Sequence, residues 1–159
     1  MAAFDYICRS SFLRPRDFVR YIQVCAEKTL DKGGNIIKAD TVFECDTAFS
    51  NYLRSELEDE IHGAIPDIHN ILNIFTELRK QTIRIDEFKD LFIKHFEEGK
   101  IKTADSLFVL QALFVFSVIG NQPKQLTHQI FRYKNKDSRL NLRENIIVHR
   151  GLFRSLQIL

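Results

Sequence analysis

Residues 12–27 read FLRPRDFVRYIQVCAE, and this stretch sets the pattern for the first half of the chain. Pro15 suits the first turn of a helix, because its fixed φ is already helical and no hydrogen bond is lost there. Phe18 and Ile22 then recur at helical spacing, with further apolar residues on the same face. The spacing predicts a helix from about Pro15 to Leu30, which the following Gly-Gly pair would end.

The helical pattern continues along the chain as far as Gly120. A second helix is predicted from about Asp40 into the acidic segment 56–60, and the residues 63–66 mark a break. After this break the pattern predicts three more helices, with a brief β-branched strand at 82–85 between the first and the second. We expect the last of these helices to end at the glycine.

Strand patterns follow this helical part. Residues 128–133 and 145–149 are typical of strands, the polar and basic stretch 134–141 between them is typical of a turn or wing, and 151–156 predict a short last helix. From Pro66 onward, the order is helix, short strand, helix, helix, strand, wing, strand. That is the order of a winged-helix domain.

The predicted fold class is mainly α. Residues 1–63 would form a helical bundle of two helices, and residues 64–159 a winged-helix-like subdomain with a small β-hairpin. A length of 159 residues suits one compact domain or two small ones that share an interface.

Charge is distributed unevenly along the chain. The net charge is only +2, so overall electrostatics indicate no partner. Residues 1–60 hold 8 Lys/Arg against 11 Asp/Glu, and residues 61–122 hold 7 against 8, whereas residues 123–159 hold 8 against 2. The last segment is therefore the one strongly basic part of the sequence.

The sequence carries no motif of a nucleotide-hydrolysing or serine-hydrolase site. A phosphate-binding P-loop needs glycines followed by Lys and Ser/Thr at fixed spacing, and none of the six glycines begins that pattern. The patterns GxGxxG and GxSxG are also absent from the sequence. We therefore expect that this chain is not an enzyme.

Metal sites and disulfides are not expected either. Cys8, Cys25 and Cys45 are odd in number and widely spaced, which fits thiols in a reducing cytosol. Glu58 and His62 have the i, i+4 spacing of metal ligands on a helix, but a site needs further converging ligands. A solvated, acidic helix end is the simpler interpretation.

Two arginines flank the proline at the start of the first predicted helix. The planar fork of an arginine binds phosphate through two parallel charged hydrogen bonds, and a helix N-terminus adds backbone donors. Arg14 and Arg16 are therefore candidates for phosphate binding. The alternative is that both arginines pair with surface carboxylates of this chain.

This region resembles the lid of a bacterial P-loop ATPase family that is related to the AAA and STAND/KAP-type ATPases. The similar parts are the R-P-R-D motif at 14–17 with its helix, the Gly-Gly turn, FSNYL at 49–53, ELEDEI at 56–61 and NIIVHRG at 145–151. The resemblance covers nearly all of the chain and implies an N-terminal two-helix lid-like bundle. In that family the lid follows the nucleotide-binding core.

The resemblance implies a non-catalytic C-terminal regulatory domain that relays the nucleotide state of an ATPase core to a partner or neighbouring subunit. In related ATPases a lid arginine acts as sensor 2, and the matching candidate is Arg16, followed by Arg14. Asp17 would then be a cap or an ion-pair partner. Walker A, Walker B and sensor 1 motifs are absent here, so this chain would hold no cofactor, whereas a complete parent protein would bind ATP and Mg²⁺.

A winged-helix DNA-binding domain is the alternative function. Basic residues that flank the predicted wing would contact phosphates or a partner without strong sequence specificity. The helix predicted within 104–119 carries no Lys or Arg, and its apolar residues predict burial on all sides, which does not suit reading of the major groove. The candidate contact residues are Arg132, Lys134, Lys136, Arg139 and Arg143.

A protein-interaction domain that self-associates is a third possibility. An apolar helix in a small domain must be covered, and a second copy is one cover. The expected partners are thus a P-loop ATPase core or another protein, a second copy of this chain, or DNA. The most apolar stretch, 107–119, is shorter than the ~20 residues of a membrane span, so we expect a cytoplasmic protein with no membrane partner.

Overall fold

The structure, a computed structural model, describes residues 2–124 and 128–158. It is mainly helical with a small antiparallel sheet, which confirms the predicted fold class. The helices are α1 (Ala3–Ser10), α2 (Pro15–Asp31), α3 (Ala39–Glu44), α4 (Asp46–His62), α5 (Ile68–Leu78), α6 (Ile85–Glu97) and α7 (Ser106–Val115). The strands are β1 (Thr82–Ile83), β2 (Ile119–Gln122) and β3 (Asn145–Val148), and a 3₁₀ turn spans Arg150–Leu152.

Helix α2 has the bounds that its sequence predicts to within one residue. Pro15 lies in its first turn, and Gly33, with φ of 71°, lies just beyond its end. The second predicted helix, in contrast, is two helices, α3 and α4, that meet at Cys45. The N–H of Cys45 donates to the carbonyls of Thr41 and Val42. The buried Cys45 thus lies at a tightened helix end and begins the next helix.

The end of α7 corrects a prediction. This helix stops at Val115 rather than at Ile119, and residues 119–122 form the buried strand β2. Ser117 adopts a left-handed backbone with φ of 60°, which breaks the helix without a glycine or proline. Gly120 therefore lies inside a strand, where a Cβ would meet the carbonyl oxygen of Ile130 at 2.7 Å.

The sheet has the order β1-β3-β2, with both neighbouring pairs antiparallel. Strand β3 confirms the prediction at 145–149, but the predicted strand at 128–133 is wrong. There, Ile130 makes an isolated bridge with Asn121, and the chain turns at Phe131, whose carbonyl accepts from the N–H groups of Lys134 and Asn135. The small hairpin is thus β2–β3, joined by a long connection rather than by a short wing.

One hydrophobic core runs through the molecule from Ile7 to Ile158. The 3₁₀ turn packs against α1 and α4, and the side chain of Ser50 in α4 accepts from the N–H of Ser155 at 2.9 Å. Arg54 donates to the carbonyl of Ser155 at 3.2 Å. The C-terminal segment therefore rests on the N-terminal helices; the division into 1–63 and 64–159 stays a prediction.

The sequence predicts that helix α7 is buried on all sides, and this prediction is wrong. Its buried face consists of Val109, Leu110, Leu113 and Phe114, while Phe108 is 44% and Val115 54% exposed. The sequence does not distinguish the two faces of α7, because most of the exposed positions are apolar as well.

Candidate functional site

The basic segment 128–144 is fastened to the sheet by one buried side chain. Asn121 in β2 donates from Nδ2 to the carbonyl of Arg139 at 2.7 Å and accepts at Oδ1 from the N–H of Asn141 at 3.0 Å. Arg132 donates to the carbonyl of Ser138 at 3.1 Å and closes the turn between them. A segment without regular secondary structure is thereby held in a defined path across the molecule.

Three adjoining cavities lie along this path, with volumes of about 240, 370 and 340 Å³. Tyr133 lines the first and the second, and Arg132 lines the second and the third. We call them together the basic groove. Its cationic lining comes from α1, from the start of α2, from segment 128–144 and from the 3₁₀ turn, and it consists of Arg9, Arg14, Arg132, Lys134, Lys136, Arg139 and Arg150.

The groove has little negative charge to balance these cations. Among the described residues that line the three cavities, Glu60 is the one carboxylate. Within 2–124 and 128–158, the structure shows no ion pair with a carboxylate for five of the groove cations and for Arg143, although other cations of the chain are paired. The five are Arg132, Lys134, Lys136, Arg139 and Arg150. Their charge is therefore available to an anionic ligand.

Four of the five predicted contact residues thus line one groove. Arg143 lies outside the lining; it is exposed, and its N–H donates to the side chain of Asn141. Sequence analysis missed Arg9 and Arg150, because both reach the groove from elements that are distant in the sequence. Arg150 is one of the eight basic residues of 123–159, so the charge distribution includes it, although it lies outside the predicted wing.

An aromatic cluster forms the floor between the first two cavities. The ring of His149 lies 4.4 Å from that of Phe12, 5.3 Å from Phe131 and 5.4 Å from Tyr133, measured between centroids. Nδ1 of His149 accepts from the N–H of Gly151 at 3.1 Å, and the ring also bonds to the backbone of Ser11. His149 therefore ties the end of α1 to the 3₁₀ turn.

Burial keeps this histidine neutral. Desolvation, together with the charges of Lys134 and Arg14, lowers the pKa of His149 to about 3. Burial also raises the pKa of Tyr133 to about 12, so its hydroxyl stays protonated. The floor of the groove is thus uncharged at neutral pH, and the cations at its rim determine its electrostatics.

The two candidate sensor arginines form a network with carboxylates, and one of them, Arg14, lines the second cavity of this groove. Arg14 donates from Nε to Asp17 at 3.1 Å and from Nη1 to Glu60 at 2.7 Å. Arg16 pairs with Glu60 and, at 3.3 Å, with Glu56. The structure therefore shows the carboxylate pairing that the sequence left open as the alternative to phosphate binding. Asp17 is an ion-pair partner, and its buried carboxylate also accepts from the N–H of Phe12.

The two arginines differ in their surroundings. Partial burial alone would lower the pKa of Arg14, but its bonds to Glu60 and the charge of Asp17 raise that pKa overall. Its Nη2 atom is buried and has no hydrogen-bond partner among the described residues. The side chain of Arg16 is 50% exposed, as its predicted position implied. Arg14 is thus held in place by its partners and by partial burial, whereas half of the Arg16 side chain is in contact with solvent.

The N-terminal helices are similar to a known family. A family model described as the FunZ-associated C-terminal helical domain matches residues 1–58, which comprise α1, α2, α3 and most of α4. Comparison with curated proteins and with solved structures gave no match. The matched part is thus similar to a C-terminal helical domain, which agrees with the C-terminal position that the predicted resemblance implied.

The described residues were also compared with the requirements of a metal site and of a membrane span. Among the described residues, no group of three or more His, Cys, Asp or Glu side chains is placed to hold a metal ion. Glu58 contacts His69 at 3.1 Å rather than His62, with which its sequence spacing suggested a pair. Within the same described ranges, no helix has the length and apolar character needed to cross a membrane.

Proposed function

We propose that this chain is an accessory, non-catalytic domain that binds nucleic acid through the phosphates lying in its basic groove. The observation that carries the proposal is the set of groove cations without carboxylate partners. Charge left unpaired within a fold favours association with polyanions, because binding releases condensed counterions. The similarity of residues 1–58 to a C-terminal helical domain supports the accessory role.

The proposed contact is with the backbone rather than with base edges. The exposed face of α7 is mainly apolar and carries Gln111 but no Lys or Arg, so this helix offers few of the side chains that read the major groove. The groove cations instead lie on turns and element ends. We therefore expect binding of many sequences with a strong dependence on salt.

The test compares two triple variants of equal charge in fluorescence anisotropy with a labelled 20-nucleotide duplex. In Lys136→Gln/Arg139→Gln/Arg143→Gln, three cations of segment 128–144 are removed. The control, Lys38→Gln/Arg79→Gln/Lys102→Gln, removes three exposed cations that make no ion pair among the described residues. We expect the first variant to lose at least about tenfold in affinity and about 2 to 3 from the slope of log K against log salt. Equal losses in both variants would contradict the proposal.

A second proposed function is the relay of nucleotide state through Arg16 and Arg14. One observation favours it: Arg14 has a buried donor, Nη2, without a partner among the described residues, and Arg16 beside it is half exposed. A phosphate could therefore be bound by this pair in exchange for Glu60. The expected movement is a loosening of the contact between α2 and α4, which Glu60 and the arginines bridge.

This second function is tested with a P-loop core of the resembled family supplied in trans. Addition of the wild-type chain should change the rate at which the core hydrolyses ATP, whereas addition of the Arg16→Ala chain should not. Because Arg16 is exposed and contributes little to folding, the variant should still fold. Lys32→Ala, which removes another exposed ion-paired cation, is the matched control. Identical hydrolysis rates with the wild-type and Arg16→Ala chains would rule out the relay.

A further inference from the structure

The smallest of the three cavities in the basic groove has a distinct lining. Three cations from three separate elements surround its volume of about 240 Å³: Arg9 in α1, Lys134 in segment 128–144 and Arg150 in the 3₁₀ turn. No carboxylate occurs among its described lining residues. The other two cavities are larger, and one of them contains Glu60.

Aromatic rings support two of these cations. The Nζ of Lys134 lies 5.6 Å from the centroid of Tyr133, and the Cζ of Arg150 lies 5.7 Å from the centroid of Tyr6. Arg150 also bonds to the hydroxyl of Tyr6. Such contacts restrict the side chains before a ligand arrives, which reduces the entropy lost on binding.

His149 also lines this cavity, and its buried ring bonds to the backbone of Ser11, just after α1. Because that ring is neutral and fully hydrogen-bonded, it contributes shape but neither charge nor a competing acceptor. The field inside the cavity is therefore set by the three cations.

Size and charge together select the ligand. A phosphomonoester carries a charge of about −1.5 to −2 at neutral pH, against −1 for an internal phosphodiester, so it gains more from three cations. A cavity below the ~300 Å³ of ordinary ligand pockets accepts the end of a molecule more readily than a chain that must enter and leave. Tyr133 lines both this cavity and its neighbour, and places a ring beside the next nucleotide for stacking.

We propose that the cavity between Arg9, Lys134 and Arg150 binds a phosphomonoester group, either the terminal phosphate of a nucleic-acid strand or the phosphate of a free mononucleotide. The strand-end source rests on the proposed nucleic-acid function, since the larger cavities continue the same groove. The site itself is independent of that function, because a free nucleotide needs only the small cavity.

The experiment uses 12-nucleotide single strands that carry the same internal dye and differ only in their termini: a 5′-phosphate, a 3′-phosphate or hydroxyls at both ends. Fluorescence anisotropy gives the affinities, and AMP and inorganic phosphate are titrated separately by calorimetry. We expect at least about a fivefold preference for one of the phosphorylated strands, a size that one or two added charged hydrogen bonds supply.

Two double variants locate the preference. Lys134→Gln/Arg150→Gln should bind phosphorylated and hydroxyl strands equally, whereas Lys136→Gln/Arg139→Gln, outside the small cavity, should weaken both and keep their ratio. Thermal unfolding checks that both variants fold. If the first does not, the single variant Lys134→Gln, whose side chain is exposed, should still reduce the ratio.

The outcomes separate this proposal from the proposed function. A preference for strands with a terminal phosphate that is lost in Lys134→Gln/Arg150→Gln supports the inference. If AMP binds tightly and competes with the strand, the free nucleotide is the source of the phosphate. Binding of AMP or phosphate without binding of any strand supports the cavity and contradicts the nucleic-acid function. Equal binding of all strands, with no binding of AMP or phosphate, overturns the inference while leaving the nucleic-acid function intact.

Discussion

The helical part of the molecule and the basic segment after β2 use their cations differently. In the helices, Arg14 and Arg16 pair with Glu60 across α2 and α4, and Lys32 pairs with Glu44 in α3. In segment 128–144, the cations make no such pairs within the described residues, and carboxylates are scarce. Regular helices bring opposite charges to fixed distances, so their charges contribute to the fold. The irregular segment leaves its charges to solvent or to a ligand.

The largest expected effect concerns the contact between the C-terminal 3₁₀ turn and the N-terminal helices. A Cβ at residue 151 would lie 2.1 Å from the carbonyl oxygen of Ser10 and 2.7 Å from a methyl of Leu53. Because the first neighbour is backbone, we expect Gly151→Ala to lower the free energy of unfolding by about 3 kcal/mol, as overpacking does in a core. Urea denaturation followed by circular dichroism measures this.

Gly63→Ala is the matched control for that substitution. Gly63 has helical backbone angles at the end of α4, and apart from its chain neighbours and the helix backbone, no described atom lies within 4 Å of the point that an alanine methyl group would occupy. Alanine should therefore leave the stability unchanged or raise it by about a few tenths of a kcal/mol. Equal urea midpoints for the Gly151 and Gly63 variants would show that the C-terminal turn does not pack tightly on the N-terminal helices.

A smaller loss is expected from the ion pairs of the helical region, and it should depend on burial. Asp17→Ala removes a fully buried carboxylate that holds Arg14 and the N–H of Phe12, which should cost about 2–3 kcal/mol. Glu44→Ala removes an exposed carboxylate, paired with Lys32, and should lower the melting temperature far less, because solvent screens such a pair. Thermal unfolding of both variants tests the contrast, and similar losses would contradict it.

The same contrast explains how much of the fold was predictable. Helix α2 was predicted to within one residue, because Pro15 and the glycines after it are local signals. Helix α1 was missed, since it is short and packs on the 3₁₀ turn, a contact between the two ends of the sequence. Strand β2 was missed and its first residue, Ile119, was predicted as helix, because Ser117 ends the helix through its backbone angle alone.

The candidate site was predictable in composition but not in shape. The excess of Lys and Arg located the basic segment, and four of its five proposed contacts line the groove. No periodicity indicates that Arg9 and Arg150 face the same cavity, or that His149 lies buried beneath it. Those relations depend on the packing of the 3₁₀ turn against α1. They also depend on the irregular connection that Asn121 holds in place, where the sequence predicts a wing.

The neutral His149 beneath the groove makes the contact between the 3₁₀ turn and the end of α1 dependent on pH. The folded state holds His149 with a pKa of about 3, below the ~6.5 of an unfolded chain, so protons bind preferentially to the unfolded state between these values. The stabilisation is complete above about pH 6.5 and is lost as the pH falls. Relative to His149→Asn, the wild type should therefore lose about 1.4 kcal/mol for each pH unit below about 6.

Urea unfolding of the wild type and the variant at several pH values between about 4.5 and 7.5 checks this difference. His69→Gln, at a side chain that is 65% exposed, is the control and should follow the wild-type pH dependence. A constant difference between the wild type and His149→Asn across the range would mean that the histidine is not kept neutral by the fold.

The smallest expected effect tests the comparison at a single residue. Lys136→Gln and Lys32→Gln remove one exposed charge each, but Lys136, in the groove, has no ion pair among the described residues, whereas Lys32 is paired with Glu44. If Lys136 contacts one phosphate, its loss should reduce the slope of log K against log salt for duplex DNA by about 0.9. Lys32→Gln should leave the slope unchanged, because that cation is already neutralised within the fold. Anisotropy titrations between about 50 and 200 mM salt resolve this difference. Equal slopes in the two variants would mean that binding depends on the net charge of the chain rather than on the groove. The contrast between paired and unpaired cations would then be relevant to folding but not to binding.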